Sequence, residues 1–223
     1  MSESQDDRAP ADAAPPEPAF NAPAISLVLV LALATAYGVQ VLLLSPQAVS
    51  ALALSAPALA DGRWWTLISH VFLHGGLVHL LMNIGAALAF GPAVARYFGR
   101  GARSAGVFIL YFLVCGVAGG MGFLALNPDS AAQVIGASGA ISGLWGGAAR
   151  LVGRRRGLWG LWQGPAPGQI IAVVALNLLI AVTGFAAGGL QIAWQAHIAG
   201  FVAGLLLIGP FGALARPSDR DRR

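Results

Sequence analysis

Long apolar blocks, separated by short joints rich in polar residues, glycine and proline, follow one another along the chain from residue 24 onward. A helix that crosses a bilayer needs about 20 mostly apolar residues, and the first block reaches that length by itself. The pattern therefore predicts an all-α, polytopic membrane protein with six transmembrane helices. The predicted spans are Ala24 to Leu44, Leu67 to Val94, Ala105 to Leu126, Val134 to Ala149, Gln169 to Ala187 and Ala193 to Leu214.

Composition supports a chain that uses lipid as its solvent, because 57% of the 223 residues are hydrophobic and only 10% are charged. Residues 1–22 differ, with four prolines and five acidic residues against one arginine, and we expect a disordered cytoplasmic tail there. The predicted membrane domain covers residues 23–214. Residues 215–223 are expected to form a basic cytoplasmic tail.

Arginines predict the orientation, because they follow the second, fourth and sixth spans and are nearly absent from the opposite joints. The positive-inside rule makes those ends cytoplasmic and places both termini in the cytoplasm. We expect the protein to lie in the cell (inner) membrane. The net charge of +4 does not point to nucleic acid, since these residues are not interleaved with aromatic side chains. The arginines are Arg96, Arg100, Arg103, Arg150, Arg154, Arg155, Arg156, Arg216, Arg220, Arg222 and Arg223.

Polar side chains at membrane depth are costly, so the few in the predicted spans each need a reason. Ser138 precedes Arg150 by twelve residues, which places it roughly 18 Å above the cytoplasmic face of the membrane core. Counting residues to the cytoplasmic end of their own spans in the same way places Asn83 roughly 20 Å and His197 roughly 21 Å above that face. This shared level, about 10 Å below the outer surface, indicates a constructed site that admits water from outside. The other polar residues in or near the spans are His70, His74, His79, Ser142, Asn177, Gln191 and Gln195.

Glycine spacing predicts which spans touch. The fourth span has glycines at four-residue intervals, at positions 139, 143 and 147, and the sixth has Gly200 and Gly204. Small residues at this spacing let membrane helices approach closely. Because His197 lies three and seven residues before the glycines of its own span, packing these faces would bring it toward Ser138. The alternative, that the glycines only pack helices, stays open.

Ser138 and His197 together have the chemistry of a Ser-His dyad. The serine is expected to begin a helix, where unpaired backbone N–H groups and the positive end of the dipole favour an oxyanion. An imidazole nearby can take the hydroxyl proton and return it to the leaving amine. His79 and Asn83 could donate to the oxyanion from the side. Each residue also has an ordinary interpretation, as a helix cap or as a polar contact between helices.

Three motifs stand in order on the second, fourth and sixth predicted spans. They resemble the three signature motifs of rhomboid proteases, over a match that runs from residue 24 to residue 214. A lone Gly-x-Ser-Gly is a weak signal, whereas three motifs in this order on the right spans are very specific. The motifs are His79-Leu80-Leu81-Met82-Asn83, Gly136-Ala137-Ser138-Gly139 and Ala196-His197-Ile198-Ala199-Gly200-Phe201-Val202-Ala203-Gly204.

The resemblance implies a six-helix bundle that cuts the transmembrane helices of other, single-pass membrane proteins near the outer side of the bilayer. Ser138 would be the nucleophile and His197 the base. His79, Asn83 and the Ser138 backbone N–H would form the oxyanion hole. The resemblance also implies no metal, no cofactor, and lateral entry of the substrate near the second and fifth spans. The motif glycines that it brings in are Gly136, Gly139, Gly200 and Gly204.

Two positions depart from the family pattern. Some members place an aromatic side chain four residues after the nucleophile, under the histidine ring. This chain has Ser142 there, so the resemblance does not say what orients His197. The first outer loop of the family often contains Trp-Arg, whereas this chain has Arg63-Trp64-Trp65, and no specific contact of Arg63 follows.

Three other functions are open at this point. His70, His74 and His79 could hold a metal, the first two being four residues apart, although no HExxH pattern, carboxylate cluster or thiol pair accompanies them. A catalytically inactive relative that binds transmembrane helices would be expected to have lost the serine or the histidine, and this chain has both. A small-solute transporter would be expected to show an internal repeat, which the six spans lack.

Overall fold

The computed structural model describes residues 22–153, 157–186 and 193–216. Most of both predicted tails lies outside these ranges, as do Gln191, Arg154, Arg155, Arg156, Arg220, Arg222 and Arg223. Within them the regular structure is helical apart from one isolated antiparallel bridge between Leu54 and Val134, which agrees with the all-α prediction. The elements are α1 (Ala24–Leu43), α2 (Pro46–Leu52), α3 (Ala56–Ala60), α4 (Thr66–Ser69), a 3-10 turn (His70–Phe72), α5 (Leu77–Phe98), α6 (Ala102–Leu126), α7 (Ser138–Ala149), α8 (Ala166–Ala186) and α9 (Trp194–Ala215).

Helices lie at the positions of all six predicted spans, namely α1 and α5 to α9. Among the described residues, α1, α5, α6 and α9 are long and apolar enough to cross a bilayer by themselves. The apolar stretch Ala166–Leu179 of α8 is shorter, and α7 has only 12 residues, which is about 18 Å of helix. The prediction of a helical membrane bundle is confirmed. That all six helices cross the bilayer stays a prediction.

The second predicted span was wrong at its start. Instead of one helix from Leu67, the chain forms α4, the 3-10 turn and a short loop, and α5 begins only at Leu77. The break falls at a pair of glycines, and Gly76 adopts a positive φ of 157° that side chains rarely adopt. Hydropathy alone could not place the break because the residues on both sides of it are apolar.

Helices α6, α7 and α9 form the tightest part of the bundle, and glycines make their close approach possible. A Cβ added to Gly200 would overlap the Gly139 carbonyl, and one added to Gly204 would overlap the Gly143 carbonyl. The predicted contact between the two glycine faces is therefore confirmed. The Tyr111 hydroxyl of α6 lies 2.7 Å from the Gly204 carbonyl oxygen and 3.1 Å from that of Gly143, so α6 ties the other two helices together.

Gly204→Ala is expected to destabilise the bundle, because its new methyl group must push α7 and α9 apart. Overpacking of this kind costs about 1–3 kcal/mol. The matched control is Gly38→Ala in α1, where a Cβ meets nothing within 4 Å and where alanine favours the helix by about 0.5–1 kcal/mol. The unfolding midpoint in detergent, followed by circular dichroism, should therefore fall for Gly204→Ala and rise for Gly38→Ala. Equal effects would contradict this account of the helix contact.

Candidate active site

Ser138 is the first residue of α7, and the loop before it is fixed by hydrogen bonds and by a glycine. The Gly136 backbone N–H donates to the His70 carbonyl at 2.9 Å. Gly136 has a φ of 122°, and a Cβ there would lie 2.9 Å from Nε2 of His79. Both the backbone angle and the space therefore require glycine. Because the first backbone N–H groups of a helix have no partner within it, this turn presents donors beside the half-buried Ser138 hydroxyl.

His197 lies in the first turn of α9, and its Nε2 is 2.8 Å from the Oγ of Ser138. The glycine contact between α7 and α9 begins three residues further along, at Gly200. Because the two helices pack backbone to backbone there, their first turns lie side by side. The structure thus brings together two residues that are separated by 59 positions in sequence.

Asn177 of α8 is the third member of this hydrogen-bonded line. Its Oδ1 lies 2.8 Å from Nδ1 of His197, and its Nδ2 donates to the Val173 carbonyl at 2.8 Å. The side chain is buried, at 3% exposure. From the sequence, Asn177 was only one polar residue of the fifth span and had no assigned role. The one indication of a role was the free-energy cost of placing a polar side chain at membrane depth. That cost does not show which neighbouring residue the asparagine contacts.

His79 and Asn83 lie one turn apart on α5, and the His79 ring lies beside Gly136. Nδ1 of His79 accepts a hydrogen bond from the Gly75 backbone N–H at 3.3 Å. In a neutral imidazole the other nitrogen then carries the proton, so Nε2 is the donor on the edge that faces Gly136. Asn83 is buried, its Nδ2 donates to the His79 carbonyl at 2.8 Å, and its Oδ1 has no hydrogen-bond partner among the described residues.

His70 and His74, which are four residues apart, do not lie on one helix, because the 3-10 turn ends at Phe72 and His74 lies in the following loop. Nδ1 of His70 is 2.7 Å from the Thr66 carbonyl oxygen, an acceptor, so it carries a proton. His74 is buried against His79, with a distance of 5.2 Å between ring centroids. In the described part of the chain, no three His, Cys, Asp or Glu side chains are grouped as a metal ion would require.

The charge state of His74 follows from its surroundings. Burial, with a smaller contribution from the neighbouring His79, lowers the pKa of His74 to about 4. The ring is therefore neutral at physiological pH. The loop that carries it is attached to α1, because the Gln40 side chain exchanges two hydrogen bonds with the His74 backbone, at 2.7 Å and 2.9 Å.

Arg63, which had no assigned contact, forms an ion pair with Asp61 in the loop before α4. The distance from Nη2 to Oδ2 is 3.3 Å, and the Asp61 side chain is 66% exposed. Exposed pairs of this kind contribute about 0–1 kcal/mol. The two tryptophans that follow, Trp64 and Trp65, are exposed, as expected for aromatic side chains at a membrane interface.

The fold and the site define a class: a helical membrane protein with a serine and a histidine hydrogen-bonded to each other at the first turns of two tightly packed helices. Comparison with known families then identifies it. The Rhomboid domain matches residues 61–213 of the chain. The chain therefore belongs to the rhomboid family.

Individual relatives agree with this assignment. Rhomboid protease GluP of Bacillus subtilis (strain 168) is 30% identical over 154 residues, which are 69% of this chain and 27% of that one. A second rhomboid of the same bacterium, YdcA, is 41% identical over 87 residues, 39% of this chain and 41% of that one. RHOMBOID-like protein 4 of Arabidopsis thaliana is 34% identical over 158 residues, 69% of this chain and 35% of that one. The chain thus matches less than half of the length of each relative.

Proposed function

We propose that the protein is an intramembrane serine endopeptidase that hydrolyses peptide bonds in or near the transmembrane helices of other membrane proteins. The observation that carries the proposal is the 2.8 Å separation between Ser138 Oγ and His197 Nε2. This is the geometry in which an imidazole can take the proton of a nucleophilic hydroxyl. Membership of the rhomboid family supports the choice of substrate class.

The reaction has two halves. In the first, Ser138 Oγ attacks the carbonyl carbon of the scissile bond while its proton moves to His197 Nε2. The tetrahedral intermediate then collapses, the C–N bond breaks, and His197 gives the proton to the leaving amine. In the second half a water molecule loses a proton to the same nitrogen and attacks the carbonyl carbon of the acyl-enzyme. The ester C–O bond then breaks, His197 gives the proton to Ser138 Oγ, and the acid is released.

Negative charge on the substrate oxygen would be stabilised by donors from two helices. The Ser138 backbone N–H has no acceptor within α7 because it belongs to the first turn. Nε2–H of His79 faces the neighbouring Gly136. The amide nitrogen of Asn83 has two hydrogens, and one of them is used on the His79 carbonyl, so the other is available to the oxyanion.

We further propose that six helices cross the membrane and that the site opens to the outer side, with both termini cytoplasmic. Two helix directions support this topology. Ser138 begins α7 and Arg150 follows its last residue, while His197 lies in the first turn of α9 and Arg216 follows its end. The site and the arginines are therefore at opposite ends of both helices, as the positive-inside rule requires.

Cleavage in proteoliposomes tests the proposal directly. The purified protein, reconstituted with a single-pass substrate that contains small residues near the outer end of its helix, should produce two fragments. Mass spectrometry should place the cut in or near the transmembrane segment, and added EDTA should not change the rate. A folded protein that binds the substrate helix without cutting it would instead support the alternative, a catalytically inactive rhomboid that binds transmembrane helices.

Asn83→Ala should lower kcat by about 10- to 1,000-fold, since it removes one donor to the oxyanion. KM should change little, because the donor acts on charge that develops only in the transition state. Asn127→Ala is a matched control: Asn127 also donates from Nδ2 to the carbonyl four residues earlier, that of Phe123, at 2.8 Å, but at the end of α6. Full activity in Asn83→Ala would remove Asn83 from the oxyanion hole.

A further inference from the structure

We infer that Asn177 is the residue that positions His197 for catalysis, so that the active site is a Ser138–His197–Asn177 triad. This inference rests on the proposed protease function. Some rhomboids orient the histidine ring with an aromatic side chain four residues after the serine, but this chain has Ser142 at that position. Asn177 would orient the His197 ring instead.

The direction of each hydrogen bond follows from the groups that can only accept. The Val173 carbonyl oxygen accepts, so the Asn177 atom facing it, 2.8 Å away, is the amide nitrogen. The Asn177 carbonyl oxygen must then face His197, 2.8 Å from Nδ1. Because this oxygen also only accepts, Nδ1 of His197 carries the proton. The lone pair is left on Nε2, where it faces the Ser138 hydroxyl.

Asn177 thus holds the imidazole in the tautomer that a general base requires. The same contact also serves after proton transfer. When His197 has taken the serine proton, Nδ1–H of the imidazolium still donates to Oδ1 of Asn177, and hydrogen bonds from a charged donor are about twice as strong as neutral ones. An amide does not take up that proton itself, so Asn177 remains an acceptor throughout the cycle.

A purely structural role, joining α8 to the bundle, is the main rival interpretation, since asparagines often link membrane helices. Other contacts already make that connection. One turn before Asn177, the buried Val173 packs with Phe201 and Leu205 of α9. Near the start of α8, Gln169 Oε1 accepts a hydrogen bond from the Trp145 indole of α7 at 2.6 Å. Removing the Asn177 amide should therefore leave α8 attached.

The test compares Asn177→Leu, which removes the acceptor and keeps the number and branching of the side-chain heavy atoms, with Asn177→Asp, which keeps an acceptor for Nδ1. Asn177→Leu should lower kcat by about 10- to 100-fold, a part of the 10²- to 10⁴-fold that general bases supply. Its KM and unfolding midpoint should stay close to the wild type. Asn177→Asp should recover most of the lost kcat. Asn127→Leu is the matched control, because it removes an amide with the same local hydrogen bond, to the carbonyl four residues earlier, whose partner is Phe123 and not His197.

Nitrogen NMR of ¹⁵N-histidine-labelled protein reads the tautomer itself. The chain has four histidines, and the spectrum of His197→Ala identifies the His197 signals by their loss. Wild type and Asn177→Asp should show a protonated Nδ1 on His197, whereas Asn177→Leu should show loss of this tautomer. A merely structural residue would not change this signal.

The outcomes separate the two proposals. If Asn177→Leu keeps the wild-type kcat and tautomer while Ser138→Ala is inactive, the protein is a protease and Asn177 is not its positioning residue. If Asn177→Leu loses activity only in proportion to a lower unfolding midpoint, the residue is structural and the inference is wrong. A folded wild type that cleaves no substrate removes both the proposed function and the triad.

Discussion

Ser138→Ala is expected to abolish cleavage of a transmembrane substrate, with kcat lowered on the order of 10⁴- to 10⁶-fold, as in serine proteases that lose the nucleophile. No other group replaces a missing nucleophile, so only the slow attack of water on a bound substrate remains. The fold should be unaffected, because the change removes one half-buried hydroxyl and alanine is a good helix former. Initial rates in proteoliposomes and the unfolding midpoint in detergent measure the two effects.

Ser130→Ala makes the same chemical change outside the site. The Ser130 hydroxyl accepts a hydrogen bond from the Ala132 N–H at 3.1 Å in the loop between α6 and α7, so its loss should leave cleavage near the wild-type rate. Comparable inactivity of both variants would point to a folding defect. Turnover near wild type in Ser138→Ala would rule out Ser138 as the nucleophile.

His197→Ala is expected to have nearly as large an effect, on the order of 10⁴-fold or more in kcat. Without Nε2 at 2.8 Å from Ser138 Oγ, the hydroxyl stays protonated and the leaving amine has no proton donor. Residues that act as one unit are strongly non-additive, so the Ser138→Ala, His197→Ala double variant should be no slower than either single variant. A double variant whose loss equals the product of the two single losses would contradict a dyad.

Much of the fold could be predicted from hydropathy, because a helix that crosses lipid is a long and mostly apolar stretch of sequence. The exceptions are instructive. The start of α5 depends on the backbone conformation of Gly76, which the Gly75-Gly76 pair marks and which an average of hydropathy over the segment does not detect. The short helices α2 and α3 lie between the first two predicted spans, where hydropathy makes no distinction between helix and loop.

The candidate site divides in a similar way. Ser138 and His197 were predicted from sequence motifs, from a shared depth in the membrane and from glycine spacing. These signals can be found within one helix or by matching the small residues of two helices. Asn177 has no such partner pattern, since the residues around it on α8 are apolar and none between positions 169 and 183 is a glycine. The rotation of α8 about its axis, which decides what Asn177 faces, is set by side-chain packing that sequence reasoning does not supply.

The central claim, that Ser138 is a nucleophile activated by His197, is tested most directly by labelling the detergent-purified protein with a fluorophosphonate probe and locating the adduct by mass spectrometry. We predict one adduct on Ser138 in the wild type, and none on Ser138→Ala or His197→Ala at the same probe concentration and time. Equal labelling of His197→Ala, or an adduct on another residue, would contradict the claim. So would a folded wild type that reacts neither with this probe nor with a second serine-directed probe of different shape.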